Sequence, residues 1–262
     1  MITAKSRAEI AKMRSAGRIV AEVLALMESE LKPGISTAEL DRLAEQHIRS
    51  AGAVPSFLNY LGGRRYDSSH PNRYPASTCI SVDAEIVHGI PGNREIRAGQ
   101  IVSVDVGAIY DGWHGDGARS FICGGPEAGT PEARLLVDTT RLALMAGIAA
   151  ARPGAHIGDI SGAVEDIARP EGLGIIRQYV GHGIGTSMHE DPQVPNFRSG
   201  HKGMKLTPGI CLAIEPMFTL GGDATRTLDD EWTVVTDDGS LAAHFEHTIA
   251  VTEDGPEILT RV

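Results

Sequence analysis

A short stretch of this chain near residue 99 returns, in pattern, near residue 209. Gly99 is followed by Gln100-Ile101-Val102-Ser103-Val104-Asp105, and Gly209 by Ile210-Cys211-Leu212-Ala213-Ile214-Glu215. Each is a glycine, an aliphatic-rich run and a carboxylate six residues after the glycine. A second pair runs upstream of these: Lys32-Pro33-Gly34 followed by Glu39-Leu40 and Ala44 matches Arg152-Pro153-Gly154 followed by Asp159-Ile160 and Val164 at the same offsets. Self-similarity of this kind marks a fold assembled from related supersecondary units. The chain is therefore expected to build two similar halves packed about a pseudo-twofold axis, with Asp105 and Glu215 as counterparts and a metal pair between them. With 262 residues, 42% of them hydrophobic, one large domain over 1–262 has enough apolar material for its core.

Local signals place the elements. Ser6-Arg7-Ala8-Glu9 is a capping box, and Ile10, Met13, Val20, Leu24 and Met27 recur at helical spacing up to Lys32-Pro33-Gly34. Ser36-Thr37-Ala38-Glu39 opens a second helix that turns Leu40, Leu43, Ala44 and Ile48 inward. Thr130-Pro131 opens a third, through about Ala150. Strands are expected over Thr78 to Val82, Ile101 to Tyr110, Arg119 to Cys123, Ile210 to Thr219, Trp232 to Val235 and His244 to Val251.

Five ionisable residues sit where charge is costly. Asp105 and Glu215 end runs that bury aliphatic side chains, and lone carboxylates are rarely tolerated there. Asp105 and Asp116 flank an Asp111-Gly112 turn, so antiparallel pairing can carry both to one end of a sheet. His182 lies in Gly181-His182-Gly183-Ile184-Gly185, whose glycines disfavour a regular helix or a central strand and point to close approach by a neighbour. Glu246 completes the set. Carboxylates gathered without a cation repel and take up protons, whereas one or two divalent ions make the same cluster favourable. Oxygen ligands with a single imidazole suit Mn, Fe, Co or Zn, and a water shared by two such ions becomes a nucleophile near neutral pH, so hydrolysis is the simplest chemistry. His88 and His189 occupy turn-like contexts suited to substrate contact.

Composition removes several classes. A net charge of −10 without clustered Lys or Arg argues against direct nucleic-acid binding. No apolar stretch approaches the length needed to cross a membrane, and the start lacks a signal-peptide core, so a cytoplasmic protein is expected. Cys79, Cys123 and Cys211 are odd in number and widely spaced, as in a reducing compartment.

Taken in order, Val87-His88-Gly89-Ile90-Pro91, Val104-Asp105-Val106, Gly112-Trp113-His114-Gly115-Asp116, Gly181-His182-Gly183-Ile184-Gly185, Met188-His189-Glu190-Asp191-Pro192, Ile214-Glu215-Pro216-Met217 and Glu246-His247-Thr248 resemble the type I methionine aminopeptidases over nearly the whole chain. The resemblance implies the pita-bread α/β (α+β) fold: two pseudo-twofold halves with a central antiparallel sheet covered by helices. It implies two divalent ions held by Asp105, Asp116, His182, Glu215 and Glu246, with Asp116 and Glu246 bridging. It further implies Glu215 as general base to the bridging hydroxide, His189 at the scissile carbonyl and His88 near the peptide nitrogen. Tyr74, Cys79 and Trp232 match methionine-pocket positions. The implied substrates are nascent polypeptide N-termini whose second residue is small, with transient ribosome contact and a monomeric state.

Two departures stand out. A polar stretch over 63–73 reads as an insertion at the pocket mouth, and Met188 stands where a phenylalanine often sits. Proline-directed peptidases resemble the same ligand set, but typically carry an added N-terminal domain. A non-catalytic binding module on this fold is expected to lose ligands or gain basic segments, and the chain does neither.

Overall fold

The computed structural model describes residues 2–61 and 73–262. The expected insertion over 63–73 therefore lies, apart from Arg73, outside the described residues. Among the described residues, four α-helices run over Arg7–Glu30 (α1), Thr37–Ser50 (α2), Pro131–Ala150 (α3) and Ile157–Ala168 (α4). The capping box of α1 forms as the sequence requires: Glu9 N donates to Ser6 Oγ at 3.3 Å and Ser6 N to Glu9 Oε2 at 2.7 Å. Ser36 and Thr130 cap α2 and α3. No helix among the described residues is long and apolar enough to cross a membrane.

All strand pairs among the described residues are antiparallel. In the first half, Ile101–Tyr110 pairs along its length with Trp113–Ile122, and on its other edge with Thr78–Val82 and then Val54–Pro55. In the second half the order is Gly255–Ile258, His247–Thr252, Cys211–Ile214, Gly181–Gly183, Glu190–Val194. Two three-stranded sheets complete the architecture: Gly174–Ile175, Met217–Thr219 and Ala242–His244, and Glu85–Val87, Val234–Thr236 and Thr225–Thr227. Helices α1 and α2 bury Val20, Leu24, Met27, Leu40 and Ile48 against Ile80, Val102 and Val104. Helices α3 and α4 bury Leu144, Ile148 and Ile160 against Leu212, Ile214 and Ile249.

The internal repeat is carried in the backbone hydrogen bonds. Gly34 N donates to Ile96 O at 2.8 Å and Gly154 N to Leu206 O at 2.9 Å. Thr37 N to Arg94 O and Ile157 N to Met204 O are both 3.0 Å. Both second helices, α2 and α4, are thus tied at their N-termini to the segment leading into the aliphatic run. The repeat signals α4, although its own sequence lacks the side-chain cap that announces α2.

Several expected boundaries shift for physical reasons. The run Ile210 to Thr219 is two strands, Cys211–Ile214 and Met217–Thr219, because Pro216 has no N–H to continue a ladder. His244 to Val251 likewise divides into Ala242–His244 and His247–Thr252. The chain crosses from one sheet to another at Glu215 and again at Glu246. Trp232 precedes its strand, since Asp230 takes the backbone donors of Trp232 and Thr233 at 2.9 and 2.8 Å. The second hairpin strand begins at Trp113 rather than Arg119. Its start is hidden by Gly115, where a Cβ would stand 2.6 Å from Gly17 N of α1. The hairpin turn needs left-handed backbone, with φ of 50° at Asp111 and 77° at Gly112.

Candidate metal centre

The two aspartates are set by register. Asp105 faces Ala118, and Asp116 faces Gly107, so their side chains are diagonal neighbours on one face of the hairpin. Thr248 clips Asp116 from the second half: its hydroxyl accepts from Asp116 N at 3.0 Å and donates to Asp116 O at 2.8 Å. Glu246 N donates to Ala118 O at 2.8 Å, which sets Glu246 beside the same residue that faces Asp105. Glu215 follows the last residue of its strand, and Asn196 Nδ2 holds its carbonyl at 2.9 Å. The sheet breaks at Glu215 and Glu246 therefore turn two glutamates toward two aspartates.

His182 lies on an interior strand, contrary to the expectation drawn from its glycines. Those glycines admit the neighbouring strands: a Cβ at Gly181 would lie 2.4 Å from Ala213 O, and one at Gly183 would lie 2.2 Å from Asp191 O. Nδ1 of His182 donates to Gly183 O at 2.9 Å, so Nε2 carries the lone pair. That lone pair faces Glu215 Oε1 at 3.5 Å and Asp116 Oδ2 at 3.8 Å. Burial pushes the imidazole down to about 3, so no ion pair forms there. Lone pair facing carboxylate is repulsive unless a positive centre stands between them.

Ligand atoms of Asp116, His182 and Glu246 all lie within 4.8 Å of one another. One oxygen each of Asp105, Asp116 and Glu246 is buried with no hydrogen-bond partner among the described residues. Burial pushes Asp105 up to about 7. Burial, with neighbouring carboxylates, holds Asp116, Glu215 and Glu246 well above the ordinary carboxylate range. Orphaned acceptors, a backbone-fixed imidazole and mutual repulsion fit divalent cations bound among these residues.

A cavity of about 280 Å³ opens on this cluster. It is lined by all five residues read from sequence as ligands, and by His88, His189, Tyr74, Cys79, Met188 and Trp232. The His189 ring packs against that of His182, with centroids 4.2 Å apart and the planes tilted by 51°. His88 adopts φ of 60°, an uncommon left-handed conformation, with its ring edge-on to Trp232. The Tyr74 hydroxyl lies 3.0 and 2.9 Å from the carbonyls of Thr78 and Gly89, which fastens the His88 loop to its strand.

Sequence reasoning missed Phe57 and Tyr60, which also line the cavity. The Tyr60 hydroxyl forms a short hydrogen bond to His189 Nδ1. It missed His244 as well, 2% exposed, with Nε2 3.7 Å from Glu215 Oε2. A buried histidine in Ala242-Ala243-His244-Phe245 was the available signal.

The sequence pattern of metallopeptidase family M24 matches residues 11–253. Methionine aminopeptidase 1 of Bacillus subtilis is 45% identical over 262 residues, covering 100% of both chains. Methionine aminopeptidase of Clostridium acetobutylicum is 46% identical over 261 residues, covering 99% of each. The crystal structure of methionine aminopeptidase from Thermotoga maritima superposes with a TM-score of 0.92 at 39% identity, covering 100% of each chain.

Proposed function

The chain belongs to metallopeptidase family M24 and has its pita-bread fold, and from that premise we propose that it removes the N-terminal methionine of polypeptides whose second residue is small. It is a metallo-aminopeptidase. The observation that carries the reading is full-length similarity to methionine aminopeptidases, with the Asp116, His182 and Glu246 ligand atoms converging on one cavity.

Asp105, Asp116, His182, Glu215 and Glu246 are the residues to hold two divalent ions. When bound, such ions polarise a carbonyl and activate a water. The protein does the rest. Met188, Phe57, Tyr74, Cys79 and Trp232 give the cavity an apolar wall that suits an unbranched thioether side chain. Glu215 takes the proton of the attacking water, as its position at the cavity wall and its raised affinity for protons allow. His189, oriented by the hydrogen bond between its Nδ1 and the Tyr60 hydroxyl, donates from Nε2 to the carbonyl oxygen as negative charge develops there, a role that requires Nδ1 to accept from Tyr60. His88, beside Trp232, meets the peptide nitrogen.

Methionine release from Met-Ala, Met-Leu and Ala-Pro peptides by chelated protein, with and without added Mn, Co, Fe or Zn, tests the reading. Metal-restored release from Met-Ala but not Met-Leu is expected. Cleavage of Ala-Pro alone would reassign the chain to proline-directed peptidases, and silence with every metal would leave a binding module.

A further inference from the structure

Most buried polar atoms left unpartnered around this centre are acceptors, and divalent cations, when bound, would account for them. His244 Nε2 differs. It is buried without a hydrogen-bond partner among the described residues, and it lies 3.7 Å from Glu215 Oε2. Unlike the five ligand residues, His244 does not line the cavity. It stands behind Glu215. The two oxygens of Glu215 consequently face different partners: Oε1 looks toward His182 Nε2 at 3.5 Å, and Oε2 toward His244.

His244 is held more firmly than a packing residue requires. Its strand partner is Met217, two residues beyond Glu215. The Ser120 hydroxyl accepts from His244 N at 2.8 Å and donates to His244 O at 2.9 Å. Ser120 Oγ is in turn 2.7 Å from Ser103 Oγ. His244 therefore bridges the hairpin of the first half, which bears Asp105 and Asp116, to the glutamate of the second half. An imidazole facing a carboxylate is complementary only when the facing nitrogen carries the proton. At 3.7 Å the pair is not yet hydrogen-bonded, but the terminal torsion of a glutamate is soft, and its rotation brings Oε2 onto the N–H.

We propose that His244 is a positioning residue for Glu215: its Nε2–H engages Oε2, so that Oε1 is the oxygen presented to the metal and the carboxylate keeps one orientation through turnover. A partner of this kind sets ligand orientation in metal sites and affects affinity without touching the ion. The inference rests on Glu215 as a ligand, which belongs to the proposed function.

The test compares His244→Leu, which fills the space without a donor, with His244→Gln, whose amide N–H reaches in the same direction. Calorimetric titration of chelated protein with Mn(II) is expected to show affinity weakened roughly 10–100-fold in His244→Leu and restored to within a few-fold in His244→Gln. Unchanged affinity in His244→Leu, or equal loss in both, would overturn the proposal. A second measurement needs no variant of His244: ¹⁵N spectra of the protein loaded with diamagnetic Zn(II), in which Glu215 is ionised, should show it protonated on Nε2, with that resonance moving in Glu215→Gln. An Nδ1-protonated ring would contradict it. Neither readout uses a peptide. Wild-type protein that binds Mn(II) but releases no methionine would refute the peptidase reading while leaving this one decided on its own results.

Discussion

Two buried acidic places in this molecule are built in opposite ways. Glu165, on α4, is 3% exposed, yet both its oxygens are satisfied by arginine. Oε1 accepts from Arg169 Nη2 at 2.6 Å, and Oε2 accepts from Arg198 N at 2.8 Å. Burial pushes its carboxyl up, but hydrogen bonds from Arg198 and Arg169 outweigh it and hold the group below the ordinary range. Around the cavity, by contrast, the basic side chains within 4.0 Å of Asp116 and Glu215 among the described residues are the imidazoles of His182 and His244. The carboxyls there are driven up instead. A protein that compensates one buried carboxylate with two guanidinium groups and leaves several others uncompensated has reserved the second place for a cation from solution.

The contrast can be broken from either side. At the centre, Glu215→Ala should cost about 10³-fold or more in methionine release, as removal of the general base implies, while the metal-free protein melts no lower than wild type. A variant that keeps its activity would remove Glu215 from the chemistry. The metal-free protein should also carry the repulsion as a pH dependence. Asp105 binds its proton more tightly folded, at about 7, than its ordinary 3.8, so the folded state holds more protons across that window. The contribution of Asp105 to stability is then fullest below about 4 and is lost as pH rises toward 7, opposite in sign to that of the buried His182, held down to about 3. Melting temperatures of metal-free wild type and Asp105→Asn across pH isolate it: wild type should lose stability relative to the variant as pH rises, and a constant difference would contradict this.

Asp105→Asn should weaken Mn(II) affinity by roughly 10–100-fold and stabilise the metal-free protein, because it removes both a ligand oxygen and a repelling charge. Calorimetry and urea unfolding read the two effects separately, and unchanged affinity would take Asp105 out of the ligand set. Glu165→Ala should do the reverse, leaving turnover per folded molecule intact and lowering stability by about 1–2 kcal/mol. The loss is modest because the side chains of Arg169 and Arg198 are 67% and 48% exposed and rehydrate when their partner goes. A fall in turnover without a fall in urea midpoint would show that the two places are coupled.

Much of this was legible in the sequence. Asp105 and Glu215 stood out because charge at the end of an aliphatic run is costly, Asp116 through the Asp-Gly turn that pairs its strand with that of Asp105, and the repeat tied the two halves together before any strand was paired. What stayed hidden depends on contacts between distant segments. His182 was displaced from a central strand in the sequence reading because glycine is a poor strand former, whereas here it is the close approach of Ala213 and Asp191 that demands glycine. Tyr60 and His244 carry no local signature; one reaches His189 across 129 positions, and the other acts through Glu215. The strand breaks at Glu215 and Glu246 followed from Pro216 in one case and from a sheet crossing visible only in three dimensions in the other.

The central claim is that the buried carboxylates exist as anions only with cations among them. Calorimetric titration of chelated protein with Mn(II), repeated in buffers of different ionisation enthalpy, counts the protons released for each ion bound. The account predicts up to two ions per chain, net proton release near neutral pH and a rise in melting temperature. Binding without proton release, or with no change in melting temperature, would contradict it.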